Sequence, residues 1–275
     1  MSQAILMELF PDRPCFVGRT YGIQGVPVRH VFMTGAVDWL SKLRPGPIKI
    51  LEIGSWIGSS ALTWSQALDV LCPEKGEILC VDPWDAYFSE SDVEKKDLYR
   101  AMNQLGRSGL AYDLFLHNIS FAAKSVRINH FRGKSRDCLP YLADASFDLI
   151  YIDGSHYVED VTYDLERSHR LLKPGGLMCG DDLELQFMEC DQEFTMNSDR
   201  VDYVRDPRTG KSFHPGVTLA VHRFFGEVSA AAGFWAMHKT DQGYEKVTMD
   251  NIAMLIPAHF PLDIQEQIKK QLETK

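Results

Sequence analysis

From residue 48 onward, short apolar runs alternate with stretches of helical periodicity, the pattern of a parallel sheet covered by helices on both faces. The runs are 48–53 (IKILEI), 77–82 (EILCVD), 126–131 (VRINHF), 147–153 (FDLIYID) and 176–181 (GLMCGD). The spacing between them predicts helices over 59–71, 93–106, 136–142 and 158–172. The last is the best marked, with Val158, Val161, Leu165, Leu171 and Leu172 as its apolar residues and Lys173, Pro174, Gly175 and Gly176 as its stop. An amphipathic helix is expected near 29–43, as a cap over the sheet. Residues 183–213 are rich in Glu, Asp, Asn and Arg and carry the turn signal PRTGK, so a long connection is expected there. A helix over 217–226, a strand over 234–239, a last strand-like stretch before IPAHF and a terminal helix over 262–273 complete the pattern.

Composition narrows the function classes. With 275 residues, 45% apolar and 24% charged, the chain fits one α/β core with attachments: a segment 1–47, a core 48–260 with the variable connection 183–213 inside it, and a terminal helix within 261–275. The formal net charge is −9 and no run of Lys and Arg exceeds two residues, so the footprint of a nucleic-acid binder is missing. A neutral or cationic small molecule is the easier partner. Six cysteines without a CxxC pair read as reduced, packed thiols and fit a cytoplasmic protein. The first residues do not read as an export signal, and no segment has the ~18 apolar residues of a membrane span.

The first run leads into LEIGSWIGSSALTW (51–64), where Gly54 and Gly58 let the backbone turn tightly into a helix whose free N–H groups favour a carboxylate or phosphate. Trp56 stands where a dinucleotide fingerprint needs its second glycine, so a pyrophosphate would be crowded. Asp82 ends the second run, where α/β nucleotide sites place an acid on ribose hydroxyls, and Trp84 beside it could stack on an adenine. The competing reading is a plain strand-to-helix turn with a capping acid. Together and in order, these residues favour an adenosine ligand whose tail is not a pyrophosphate.

Asp153 closes the fourth run, and Asp181 and Asp182 close the fifth, which places all three at the carboxyl edge of the sheet. Three carboxylates so close repel one another unless a cation lies among them. Mg²⁺ is the first expectation and Mn²⁺ or Ca²⁺ the next, with Zn²⁺ disfavoured for want of a cysteine or multi-histidine set. The bland alternative has Asp153 capping a helix and the other two in a solvated turn. His156 follows three residues after Asp153, either facing solvent or able to take a proton near pH 7.

These residues together resemble class I S-adenosylmethionine-dependent methyltransferases, and within them the metal-dependent O-methyltransferases that act on macrolide sugars, of the mycinamicin and macrocin type. EIGSWIG (52–58) is similar to their first motif with its middle glycine replaced by a bulky residue. IDGSHYVEDVTYDL (152–165), followed by LLKPGGLMCGDD (171–182), resembles their metal and post-strand motifs, and HPGVTLAVHRFF (214–225) resembles a later helix. The similarity covers 48–240.

The resemblance implies a Rossmann-like, doubly wound, mostly parallel sheet of seven strands. It also implies S-adenosylmethionine and Mg²⁺ (or Mn²⁺ or Ca²⁺) as cofactors. Glu52, Gly54, Ser55, Gly58 and Ser60 would surround the methionine part, Asp82 would bind the ribose, and Ser135 would lie near the adenine. Asp153, Asp181 and Asp182 would hold the metal. His156 matches the general base of one branch, although other branches lack it. The implied reaction moves a methyl group to a hydroxyl of a sugar, vicinal diol or catechol-like small molecule. Two other classes stay open: a dinucleotide oxidoreductase, opposed by Trp56, and a silent scaffold of the same fold, opposed by the intact site positions. The N-terminal segment and the 183–213 connection could both serve as contacts in a homo-oligomer.

Overall fold

The computed structural model describes residues 3–16, 26–248 and 252–273; the parts of the expected N-terminal segment at 1–2 and 17–25, and residues 249–251 and 274–275, lie outside them. Each apolar run is a strand: β1 (Ile48–Ile53), β2 (Gly76–Asp82), β3 (Arg127–Arg132), β4 (Phe147–Ile152) and β5 (Leu172–Leu183). Four further strands join two sheets later in the chain, as β6 (Val204–Arg205) with β7 (Ser212–Phe213), and β8 (Ser229–Ala231) with β9 (Gly233–Thr240); β10 (Gly243–Lys246) follows. The main sheet has eight strands, with seven in the order β10-β9-β5-β4-β1-β2-β3 and β8 paired to β9 off that path. β1 to β5 run parallel, and β8, β9 and β10 supply the antiparallel edge.

β1 lies between β2 and β4, so the chain winds outward in both directions from it. Such a reversal opens a crevice beyond the carboxyl ends of β1 and β4, the usual ligand position of an open α/β sheet. This is the Rossmann-like, doubly wound architecture.

Helices cover the sheet because their apolar stripes have nowhere else to go. α1 (Gln3–Leu9) is short, whereas α2 (Arg29–Leu43) buries Val31, Met33, Ala36, Val37 and Leu40 and packs on α3 (Ser59–Leu71), β5 and β9. Three helices follow β2: α4 (Glu90–Lys95), α5 (Asp97–Arg107) and α6 (Leu110–Ile119). α7 (Ser135–Cys138) continues into a short 3-10 turn at Leu139–Tyr141. α8 (Val158–Leu171) buries Val158, Val161, Leu165 and Leu171, each worth about 1.5–3 kcal/mol on full burial, and stops where Leu172 becomes extended. α9 (Gln192–Met196), α10 (Pro215–Phe225) and α11 (Leu262–Glu273) complete the chain.

Three local expectations change. The helix over 93–106 is two helices, because Lys96 between α4 and α5 is extended at φ −141°. α6 lies outside the expected helices: LAYDLFLHNI is mostly apolar and offers little amphipathic contrast. The 183–213 connection is organised, with the Asp206 carboxylate accepting N–H groups of Asp191 (2.7 Å) and Thr209 (2.6 Å) and so tying α9 to the β6–β7 hairpin. β3 ends the sheet and is largely exposed, so the sheet is not covered evenly. All six cysteines are free and buried, and among the described residues no helix is long and apolar enough to cross a membrane.

Candidate active site

The turn after β1 is shaped by what surrounds it. Gly54 has φ +87°, and a Cβ there would fall 1.9 Å from the carbonyl oxygen of Asp153, so β1 and β4 end in direct backbone contact. Asp153 N–H donates to the Ile53 carbonyl at 2.8 Å on the same side. Gly58 has φ +88° and caps α3. The Asp82 carboxylate clamps the turn from β2: its Oδ2 accepts N–H groups of Ser55 and Trp56, both at 2.9 Å, and its Oδ1 accepts the Trp84 N–H at 2.5 Å. Burial raises the Asp82 pKa while those three N–H groups oppose the rise.

Glu52 lies beneath this turn, fully buried. Its Oε2 accepts from Ser55 Oγ at 2.6 Å and from the Cys80 thiol at 3.3 Å, while Oε1 has no hydrogen-bond partner. Burial pushes its pKa up, and the hydroxyls of Ser55 and Ser60 and the Cys80 thiol pull it back. A buried carboxylate oxygen without a donor is costly, and such atoms in native folds usually await a ligand, ion or water.

Trp84 corrects the expectation of an adenine platform. Its ring is fully buried, 4.4 Å from Phe115 and 5.0 Å from Tyr112 between ring centres, and its Nε1–H donates to the Trp56 carbonyl at 2.5 Å. The indole is a core side chain that braces the turn. Ser135 opens α7 and its hydroxyl acts on buried Asp164 of α8, whose carboxyl burial raises to about 7.

The three edge acids come together through a bulge. Neighbouring residues of a regular strand face opposite sides, yet Asp181 and Asp182 share one partner. The β5–β9 register shifts between Gly180 and Leu183, and Asp182 sits at φ +60°, a sparsely occupied conformation for a side-chain-bearing residue. Arg29, the first residue of α2, enters this bulge. Its Nη1 lies 2.8 Å from Asp181 Oδ1 and 2.7 Å from Asp182 Oδ1, its Nη2 lies 2.8 Å from Glu184 Oε1, and its Nε donates to the Ala232 carbonyl at 2.6 Å. Tyr151 hydroxyl bridges the remaining acids, 3.3 Å from both Asp153 Oδ2 and Asp181 Oδ2. Asp153, His156, Asp181, Val217 and Trp235 help line a cavity of about 10 Å³, room for about one water.

His156 is held between two acids. Its Nδ1 lies 2.8 Å from Asp202 Oδ1 and its Nε2 lies 2.9 Å from Asp182 Oδ2. Burial alone would lower its pKa, but Asp182 and Asp202 hold it well above the ordinary histidine range. Both ring nitrogens therefore face carboxylate oxygens. His214, at the start of α10, meets it edge-on with ring centres 4.4 Å apart and its Nδ1 3.1 Å from Glu184 Oε2. The approach is possible because a Cβ on Gly216 would fall 2.1 Å from the His156 carbonyl oxygen. Burial raises Asp153, with Asp181 and Asp182 adding to the rise; burial also raises Asp181, to about 6, against the pull of Arg29. Asp182 goes the other way: burial is overcome by His214, His156 and Arg29, which hold it well below the carboxylate range.

Sequence reading therefore finds Asp153, Asp181, Asp182 and His156 in one cluster and Glu52, Gly54, Ser55, Gly58 and Asp82 at one turn. It misses Arg29, Glu184, Asp202 and His214. Arg29 opens a helix whose apolar residues face the core and His214 precedes Pro-Gly at a helix start, two signals visible only once the partners are known. Asp202 lies in a connection with no periodicity to place it.

Residues 51–183, just under half of the chain, match the family model described as a methyltransferase domain, Methyltransf_24. No curated protein matches the sequence significantly. Among solved structures, the chain is similar to CalS11, a calicheamicin methyltransferase, at 16% identity over 86% of this chain and 90% of that one, with a TM-score of 0.45. It is also similar to the O-methyltransferase TomG from Streptomyces achromogenes, at 18% identity over 78% and 76% with a TM-score of 0.37. A third is an O-methyltransferase from Bacillus cereus, at 16% over 88% and 86% with a TM-score of 0.38. The matched stretch runs from within β1 to the end of β5 and includes the glycine turn, Asp82 and the three edge acids.

Proposed function

We propose that this protein is an S-adenosylmethionine-dependent O-methyltransferase acting on a hydroxyl group of a small molecule. The observation that carries the reading is the contact between Gly54 and Asp153: a ligand held by the glycine turn lies directly beside the acid cluster. The match of 51–183 to a methyltransferase domain supports the same reading.

The residues fit the cofactor. The unpartnered Glu52 Oε1 suits the ammonium of a methionine moiety, and the first N–H groups of α3 suit its carboxylate. Asp82, at the end of β2, suits ribose hydroxyls, while Trp56, at φ +43° with its N–H already given to Asp82, leaves a pyrophosphate no close approach. That disfavours a dinucleotide. When bound, S-adenosylmethionine supplies an electrophilic methyl group on a sulfonium centre.

The acceptor hydroxyl would enter from the side of Asp153 and His156, which are half-buried at the mouth of the crevice. Asp153 carries one long contact, from Tyr151, so its lone pairs are free to take the hydroxyl proton. His156 lines the same mouth, with both ring nitrogens facing carboxylate oxygens. Fixing oxygen and methyl carbon in line supplies much of the rate. The expected Mg²⁺ cage of three carboxylates does not fit this arrangement: Arg29 Nη1 already stands between Asp181 Oδ1 and Asp182 Oδ1. No step is assigned to it. A sugar or vicinal diol agrees with the density of hydrogen-bonding groups at the edge.

The test is incubation with S-adenosylmethionine carrying a labelled methyl group and a panel of polyhydroxylated small molecules. Labelled ether that is lost in Asp153→Asn supports the reading; label recovered on nitrogen or carbon acceptors would turn it away from O-methylation.

A further inference from the structure

We infer that His156, Asp182 and His214 form a binding site for a divalent transition-metal cation of the Zn²⁺ or Co²⁺ kind, distinct in its ligands from a three-carboxylate Mg²⁺ cage. The inference rests on the proposal that this edge is the catalytic edge. One ring nitrogen of each histidine and one carboxylate oxygen of Asp182 all lie within 4.8 Å of one another. Ligands bound tetrahedrally at about 2.0–2.2 Å from one ion stand roughly 3.3 Å apart, so closure asks for side-chain shifts of about an ångström.

The surroundings of the three residues are those of a ligand set. His156 Nδ1 lies 2.8 Å from Asp202, which is itself fixed by the Tyr99 hydroxyl at 2.6 Å, and this leaves Nε2 directed at Asp182. His214 Nδ1 lies 3.1 Å from Glu184, which Arg29 fixes at 2.8 Å. Each histidine thus has an anchored carboxylate partner, the arrangement that sets the tautomer and orientation of metal-bound imidazoles. Asp182 Oδ1 is held by Arg29 and lies 3.7 Å from His214 Nδ1, while Oδ2 faces His156. The three come from separate elements, the turn before α8, the β5 bulge and the start of α10. Gly216 permits the approach of the last.

Charge points the same way. Asp181, Asp182 and Glu184 share the single guanidinium of Arg29, while Asp202 lies against His156 and Asp153 against Tyr151, so the cluster has room for further positive charge. Two imidazoles and one carboxylate favour zinc, cobalt and their neighbours over magnesium, which takes oxygen donors. Three protein ligands also leave positions for an oxygen of a small molecule.

The experiment titrates the chelator-treated full chain with Co²⁺, read by its visible absorption, and then with Zn²⁺ and Mg²⁺ by calorimetry. The expected result is one equivalent of Co²⁺ with a visible band, displaced by Zn²⁺ and not by Mg²⁺. His214→Ala should abolish the band, and Asp202→Asn should weaken affinity by about 10–100-fold. Retained binding of S-adenosylhomocysteine in each variant reports that it is folded; should His214→Ala lose it, His214→Asn serves in its place. If Co²⁺ affinity survives in the histidine variants and falls in Asp153→Asn, the three acids hold the metal and the inference is overturned, though a metal role stands. If no metal binds while S-adenosylhomocysteine does, the inference is overturned and the methyltransferase reading remains.

Discussion

Arg29 Nη1 lies 2.7 Å from Asp182 Oδ1, joining the first residue of α2 to the bulge in β5 across 153 positions of sequence. Both groups are buried. The same guanidinium holds Asp181 and Glu184, and Gly233 makes room for it, since a Cβ there would fall 2.3 Å from Nη2.

Arg29→Met should therefore leave buried carboxylates uncompensated and destabilise the fold by about 3–5 kcal/mol, read from urea unfolding. Arg29→Lys should recover little of it, because an ammonium cannot reproduce the planar fork that meets three acids and a carbonyl. A loss under about 1 kcal/mol in Arg29→Met would mean that the network is solvated.

Gly54→Ala places a methyl group against the Asp153 backbone at a φ of +87°. Both strain and collision oppose it, so soluble expression or thermal stability should fall sharply, with S-adenosylhomocysteine affinity lost in any folded fraction. A variant with ordinary stability and affinity would show that β1 and β4 do not meet there.

Trp84→Phe tests the buried indole. Its ring packs in the core and its N–H holds the turn, so the change should cost about 1–3 kcal/mol in thermal or denaturant unfolding. The folded variant should still bind S-adenosylhomocysteine within about tenfold of the parent. Loss of binding at unchanged stability would restore Trp84 as an adenine contact.

Asp164 gives a pH dependence. Burial raises its carboxyl from 3.8 to about 7 in the folded chain. Between those values the folded chain holds a proton that the unfolded chain has released, so this group lowers stability as pH rises through the window, by up to about 1.4 kcal/mol per pH unit, and no further above it. Asp164→Asn removes the effect. Its stability relative to the parent should grow from pH 5 to pH 7 and then level off; parallel stability curves for the two proteins would contradict the buried, proton-holding carboxyl.

How far the sequence could be read follows from what each feature depends on. β1 to β5 and α8 were legible because a buried parallel strand and an amphipathic helix each leave a local pattern. Asp153, Asp181 and Asp182 were legible because they end such strands. The bulge that turns Asp182 beside Asp181 leaves no such pattern, and neither does the pairing of Arg29 with both. Placing Trp84 next to Asp82 was correct in sequence and misleading in space, since the backbone N–H of Trp84 meets Asp82 while its indole turns into the core. The surroundings of His156 were hidden for a related reason: Asp202, which holds its Nδ1, lies 46 positions away.

The central claim, that the glycine turn and Asp82 hold S-adenosylmethionine beside the acid edge, is tested most directly by calorimetric titration of the protein with S-adenosylhomocysteine, with NAD⁺ in parallel. The account predicts stoichiometric binding of S-adenosylhomocysteine, loss of at least about tenfold in affinity in Asp82→Ala, and no measurable heat with NAD⁺. Absence of S-adenosylhomocysteine binding, or NAD⁺ binding as tight or tighter, would contradict it.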